Sequence, residues 1–390
     1  MIEEKNVKFE FNGIVIEGTT YLIPPNPEKG YVCGYSIFVP KDCQKDTTLI
    51  MHSCNTGNNV PIHLEEANEI AKKSTYERPN PGMWFGSDLK MPVMIPLIPR
   101  VKGYYTQALG SKVLHNDVST LIEDQDRRRE EDKLSEEEIR KIQEQCRDLP
   151  TQVANMIKSA QLFLEGIGIN VDDKVIAEGY SAGSKFANCF TALHPELVKA
   201  CISGGNSGLG ILPLSEYNGQ ELRFPLGVAD IPDFDYEAFC SIPHLYYIGT
   251  EDFNDPAMLK CEFMVDEKGK YVLDKNGYLI PITDEKGVVI PILDSSGRIQ
   301  PRYQENYTQH EIEQIHELLG SNPQVRFANN EAIYTSLGIN ATFKRFKGDH
   351  NSVTQKHDGI IFYTNECVKD FIRSVLSKEK SLDGSTGFNL

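Results

Sequence analysis

The chain has 390 residues, enough for one large α/β domain with insertions or for two domains. With 40% hydrophobic and 25% charged residues it has the composition of an ordinary globular protein. A formal net charge of −16 argues against nucleic acid or an anionic membrane as the main partner, because both would repel it.

The opening residues, Met1-Ile2-Glu3-Glu4-Lys5-Asn6, are polar, and no run reaches the length of a membrane span, so a cytoplasmic location is expected. Nine cysteines are scattered without any C-x-x-C pair, which speaks against a zinc site or a thioredoxin-like pair. Cys189 and Cys201 sit in apolar runs and read as small core residues.

Residues 7–11, 14–21 and 31–39 alternate like strands and are broken by Asn12-Gly13 and Pro24-Pro25-Asn26-Pro27. A short apolar strand over 47–52 runs into the small-residue loop Ser53-Cys54-Asn55-Thr56-Gly57, and a helix is expected over 62–73. The apolar run 91–98 reads as a buried strand interrupted by prolines. Residues 123–149 are densely charged, and Ser135 followed by three glutamates marks a helix start on a solvated face. A better-packed helix carries Val153, Met156, Ile157, Ala160 and Phe163 on one side.

That helix leads into the most informative stretch, residues 175–184. A short apolar strand is followed by Gly179-Tyr180-Ser181-Ala182-Gly183, then by a helix with Phe186, Ala187, Phe190 and Leu193 in one stripe. A serine on a sharp strand-to-helix turn needs small residues two positions away on both sides, so that strand and helix can pass closely. The rival reading is a plain Gly/Ser turn. Strand, helix, strand, turn and helix together predict a parallel, doubly wound sheet.

Further strands are expected over 198–202, 244–248 and 342–346, and helices over 308–319, 330–337 and 365–376, with a frayed tail after Lys378. Residues 206–241 lack regularity and read as a cap or lid. Residues 264–303 hold a repeat with a period of ten, seen at Gly277, Gly287 and Gly297. It reads as an inserted β-meander arm, serving oligomerisation or covering the substrate, rather than a calcium-binding repeat. The whole chain is then one domain with a cap and an arm.

A nucleophilic serine needs a base and a carboxylate that orients it. His350 follows a late strand in Gly348-Asp349-His350 and is the candidate base; His52 precedes the serine, and His194 reads as a helix cap. The acid should follow a strand between the two. Asp252 is the choice, with Asp255 the alternative and Glu251 third, while Asp349 reads as a turn residue. The oxyanion donors would be the N–H of Ala182 and that of Cys54, with Asn55 also open; Cys54 as nucleophile is a rival that no strand–turn–helix presents.

Gly-Tyr-Ser-Ala-Gly, Gly-Thr-Glu-Asp and Gly-Asp-His, in that order, resemble the α/β-hydrolase superfamily. Ser181-Ala182-Gly183 with Leu193-His194-Pro195 and Gly204-Gly205 is similar to the esterase branch that includes polyhydroxyalkanoate depolymerases and feruloyl esterases. The resemblance covers roughly residues 30–260 and 305–378. It implies a mostly parallel core of eight strands and hydrolysis of a small or oligomeric ester through an acyl-enzyme, without metal or organic cofactor. Two departures stand out. His52-Ser53 replaces the usual His-Gly, and the 264–303 arm lies outside the common core. An acyltransferase or amidase on the same triad is the nearest rival, and a non-catalytic binding or assembly protein using the arm is a second.

Overall fold

A computed structural model describes residues 1–11, 14–53, 61–125, 129–258, 264–267, 272, 280, 282–285, 290, 307–350 and 360–385. Nine strands among them form one mixed sheet. They are β1 (Glu3–Phe11), β2 (Ile14–Ile23), β3 (Tyr35–Pro40), β4 (Ile50–His52), β5 (Val93–Pro96), β6 (Val175–Tyr180), β7 (Val198–Gly204), β8 (His244–Gly249) and β9 (Ala341–Phe346). In space the order is β1-β2-β3-β5-β4-β6-β7-β8-β9. The first three strands and the β3–β5 pair are antiparallel, and every later pair is parallel. The resemblance implied eight core strands; an N-terminal hairpin adds the ninth.

The parallel strands β4 to β8 are buried on both faces, as crossover helices require, whereas the edge strand β9 is mostly half-buried or exposed. All six residues of β6 are buried. The alternation of a strand divides them: Val175 and Ala177 face one core, Ile176 the other. The first core is closed by helices α4 (Leu149–Gly166) and α5 (Ala182–Leu193). The second is closed by α2 (Pro81–Leu89) and α8 (Ile360–Ser385), through Trp84, Phe85, Val368 and Ile372. A third cluster packs α6 (Gln309–Leu318) and α7 (Pro323–Ser336) over β8, using Ile312, Ile315, Phe327 and Tyr334. Helices α1 (Leu64–Lys73) and α3 (Glu136–Gln145) are amphipathic, and Ser135 caps α3 by accepting from the Glu138 N–H.

Several boundaries differ from the sequence reading. Helix α2 has no polar face to betray it, since Met83, Trp84, Phe85 and Leu89 are all buried and Gly82 and Gly86 lower its intrinsic propensity. Residues 47–52 split in two. Asp46–Thr47 pairs with Asn170–Val171 in a separate two-stranded sheet, and only Ile50–His52 joins the main one. Helix α7 begins seven residues before the expected 330, where Asn322 caps it ahead of Pro323. Helix α8 continues to Ser385, into the tail expected to fray after Lys378.

The 206–241 segment is tied to α7 at its start. Residues 206–213 are buried, Tyr334 Oη donates to Ile211 O at 2.5 Å, and Asn330 Nδ2 donates to Gly210 O at 3.2 Å. Most of the 264–303 arm lies outside the described residues. Among those described, Val272 donates its N–H to Met264 O, Ile280 to Val272 O, and Met264 to Ile280 O. No helix among the described residues is long and apolar enough to cross a membrane.

Candidate active site

Ser181 sits between β6 and α5 with φ 56° and ψ −118°, a conformation costly for any residue with a side chain. The flanking glycines make the turn feasible. A Cβ on Gly179 would collide with the backbone of Gly183, and one on Gly183 would collide with Ser53 Oγ. The turn is fastened by the Ser181 N–H, which donates to Gly204 O at 2.8 Å.

The loops leaving β8 and β9 are laced together. Thr250 donates its N–H to Phe346 O at 2.7 Å, and Glu251 donates to Gly348 O at 2.8 Å. A Cβ on Gly249 would meet Gly348 O, so the two loops approach as closely as glycine permits. This lacing carries Asp252 and His350 to the elbow. His350 Nδ1 donates to Asp252 Oδ2 at 2.8 Å, and Ser181 Oγ donates to His350 Nε2 at 2.9 Å. With Nδ1 facing a carboxylate, the tautomer leaves Nε2 free to accept a proton. The Asp252 side chain is 1% exposed and that of His350 13%, so the chain runs from a dry interior to an accessible surface.

Asp255, the alternative acid, is engaged elsewhere. Arg326 Nη2 donates to Asp255 Oδ1 at 2.5 Å, and the Arg326 side chain is fully buried. The same guanidinium donates to Ser207 O at 3.1 Å and Gly320 O at 3.2 Å, so it pins the acid loop, the 206–241 segment and the start of α7 together. Glu251 serves the loop lacing through its backbone. Of the oxyanion candidates, Ala182 opens α5, where a first-turn N–H lacks an intrahelical acceptor. Cys54 and Asn55 lie outside the described residues. His194 ends α5 and contacts Glu196 at 3.1 Å, away from the serine.

The contacts of four residues, Tyr180, Asn254, Gln324 and His52, escaped the sequence reading. Tyr180 Oη donates to His350 O at 2.9 Å, which fixes the histidine backbone from the residue beside Ser181. The Asn254 N–H donates to Asp252 Oδ1 at 3.0 Å, while Asn254 Nδ2 lies 3.1 Å from His350 Nε2. Gln324 Nε2 donates to both Gly249 O and Asp252 O, at 2.8 and 2.9 Å. Beneath the elbow, His52 Nδ1 donates to Glu178 Oε2 at 2.5 Å in a fully enclosed pair. Only Glu178 left a sequence signal, as a carboxylate inside an apolar strand.

Lys185 lies one helical turn beyond Ser181 on α5. Part of its side chain still reaches the surface of a cavity, but the protein packed around its ammonium pushes its pKa down to about 8. Its Nζ sits 3.6 Å from the ring centre of Tyr307.

No family model matches the chain, and no curated protein matches it in sequence. Solved structures do resemble it. One is poly(aspartic acid) hydrolase-1 from Sphingomonas sp. KT-1, at 12% identity over 93% of this chain and 97% of that one, with a TM-score of 0.45. A second is LpqC, a poly(3-hydroxybutyrate) depolymerase from Bordetella parapertussis, at 11% identity over 94% and 88%, with a TM-score of 0.41. A third is an S-formylglutathione hydrolase from Agrobacterium tumefaciens, at 12% identity over 94% and 98%, with a TM-score of 0.38. In strand order, in its run of parallel strands and in the strand–turn–helix at Ser181, the chain has the mixed α/β architecture that the α/β-hydrolase resemblance implies.

Proposed function

We propose that the protein is a serine hydrolase that cleaves a carboxylic ester through an acyl-enzyme. The observation that carries this reading is the continuous hydrogen-bonded chain from Ser181 Oγ through His350 to buried Asp252. Ser181 Oγ attacks the acyl carbon while His350 Nε2 takes its proton. Asp252 stabilises the imidazolium that forms. The tetrahedral oxyanion is held by the Ala182 N–H at the positive end of α5, with Cys54 or Asn55 proposed as second donor. His350 then gives its proton to the leaving alkoxide, and the ester C–O bond breaks. Water, deprotonated by His350 in turn, hydrolyses the acyl-enzyme and regenerates Ser181.

The elbow supports this reading independently of the histidine. A non-glycine residue at φ 56° is retained only where its surroundings over-determine it, and presentation of a nucleophile is one use of such strain. The test is labelling with a fluorophosphonate probe, combined with turnover of 4-nitrophenyl acetate. Wild type is expected to label and turn over, and Ser181→Ala to do neither. A folded wild type that does not label would remove the serine-hydrolase reading in favour of a binding protein on this fold.

A further inference from the structure

Lys185 poses a problem that the triad does not answer. An ammonium drawn out of water is costly unless an opposite charge or a set of acceptors takes it up. Among the described residues no carboxylate pairs with it, and the acids whose fields reach it are committed elsewhere. Asp255 is held by Arg326, and Glu311 closes the capping box of α6 on Thr308. What Lys185 does meet is the face of Tyr307, itself 2% exposed, and a cavity of about 90 Å³ whose polar lining includes Tyr105, Lys112, Asp117, Thr308 and Glu311. That space is several times the roughly 10–15 Å³ needed to hold one water. Tyr105, which lines the cavity, also carries the Arg100 guanidinium 4.5 Å over its ring.

The position relative to Ser181 follows from helix geometry. Four residues of α-helix advance about 6 Å and return to the same face. Helical side chains lean back toward the N-terminus, which here is the serine. The acid loop lies close as well, since the charge on Asp255, three residues past Asp252, reaches Lys185.

We propose that Lys185, with the Tyr307 face and this cavity, is a subsite for a carboxylate borne by the ester substrate a few bonds from its scissile carbonyl. The inference rests on the ester-hydrolase reading for its substrate, but not for the anion site itself. The substrate class is then an ester of a dicarboxylic acid or of a hydroxy acid. A substrate carboxylate would give the Lys185 ammonium the direct ion pair that no described carboxylate makes with it.

The test compares charged and neutral isosteres. Methyl hydrogen adipate against methyl hexanoate places the carboxylate on the acyl side. 4-Acetoxybutanoate against butyl acetate places it on the alcohol side. The readout is the ratio of kcat/KM within each pair, from which any effect common to both esters cancels. Wild type is expected to favour the charged ester in one pair, and Lys185→Met to lower that ratio by roughly ten- to a hundredfold. The wild-type ratio should fall as pH rises through about 8, where Lys185 loses its charge. The charged and titratable groups facing it are Cys189 on its own helix, Tyr307 and Glu311 at α6, Arg326 on α7, Asp255 on the acid loop, and Tyr105, Lys112 and Asp117 across the cavity. Lys185→Arg should keep the preference without the fall. A wild-type ratio at or below one in both pairs, or one that Lys185→Met leaves unchanged, overturns the proposal. If neither ester turns over, direct binding of methyl hydrogen adipate decides. Saturation that Lys185→Met abolishes keeps the anion site while the hydrolase reading fails, and absence of binding removes both.

Discussion

Asp252 and Asp255 stand three residues apart on one loop, and replacing each with asparagine should produce opposite kinds of damage. Asp252 uses both oxygens: Oδ2 accepts from His350 Nδ1 at 2.8 Å, and Oδ1 accepts from the Asn254 N–H at 3.0 Å. In Asp252→Asn only one oxygen remains. If it stays on the Asn254 N–H, the amide NH2 faces Nδ1, which must become an acceptor. The ring proton then moves to Nε2 and confronts Ser181 Oγ, so the base is lost. If the amide turns over, the part-buried Asn254 N–H loses its acceptor and faces an NH2 donor instead, at about 1 kcal/mol. The first arrangement is therefore favoured. Turnover should fall roughly 10,000-fold, about 5.4 kcal/mol in activation free energy, with stability little changed.

Asp255→Asn removes the charge facing fully buried Arg326. Breaking such a pair from one side costs about 3–5 kcal/mol of folding stability. Turnover per folded molecule should stay within a few-fold of wild type, because Asp255 touches no member of the triad. The assay is 4-nitrophenyl acetate hydrolysis normalised by fluorophosphonate titration of active serines, alongside urea unfolding. The assignment is refuted if folded Asp255→Asn loses turnover while Asp252→Asn keeps it within tenfold.

Gly183→Ala should be unstable or inactive because its methyl collides with Ser53 Oγ, and Ser53→Ala should rescue it, since the Ser53 Cβ is 3.7 Å from that methyl position. A double-mutant cycle in urea reads the coupling, and additive losses would contradict it. Tyr180→Phe releases the His350 carbonyl and should lower kcat/KM by about five- to tenfold with the fold intact, as judged by unchanged near-UV circular dichroism. His244, buried on β8, has its pKa pushed down to about 4 by burial, against a backbone bond to Phe239 O that raises it. Its unfolded value is higher, so the unfolded chain binds the extra proton. This contribution is intact above about pH 6.5 and is lost as pH falls toward 4, up to about 3 kcal/mol. In His244→Phe the urea midpoint should depend less on pH across that window, and an unaltered acid limb would count against it.

The nucleophile turn was legible because its constraint is local. Gly179, Ser181 and Gly183 are dictated by how closely a strand and the next helix can pass, and five residues carry that information. Asp252 and His350 were legible for a related reason: in a parallel sheet the loops after successive strands open on the same edge, so chain order and loop position narrow the choice. Arg326 was not legible. It occupies an ordinary polar position on a helix, and only the packing of α7 over β8 turns it inward onto Asp255. Gln324, Asn254 and Lys185 share that limitation, since their partners are set by tertiary contacts between distant segments. Helix α2 was hidden because burial on nearly every side erases the periodicity by which helices are read.

The lacing of the β8 and β9 loops also bears on how the protein reaches its working form. About ninety residues separate the end of β8 from the start of β9. Until β9 docks at the sheet edge, Ser181 Oγ lacks its hydrogen-bond partner His350, so a nascent chain carries a strained, unpartnered elbow while residues 182–350 are made. In the unfolded chain, closure entropy grows only logarithmically with length. An extra segment the size of the 264–303 arm therefore adds roughly 0.5 kcal/mol to the cost of bringing the two strands together. This junction is a place where the gene can lengthen or shorten at little thermodynamic penalty, while the reacting groups on either side keep their spacing.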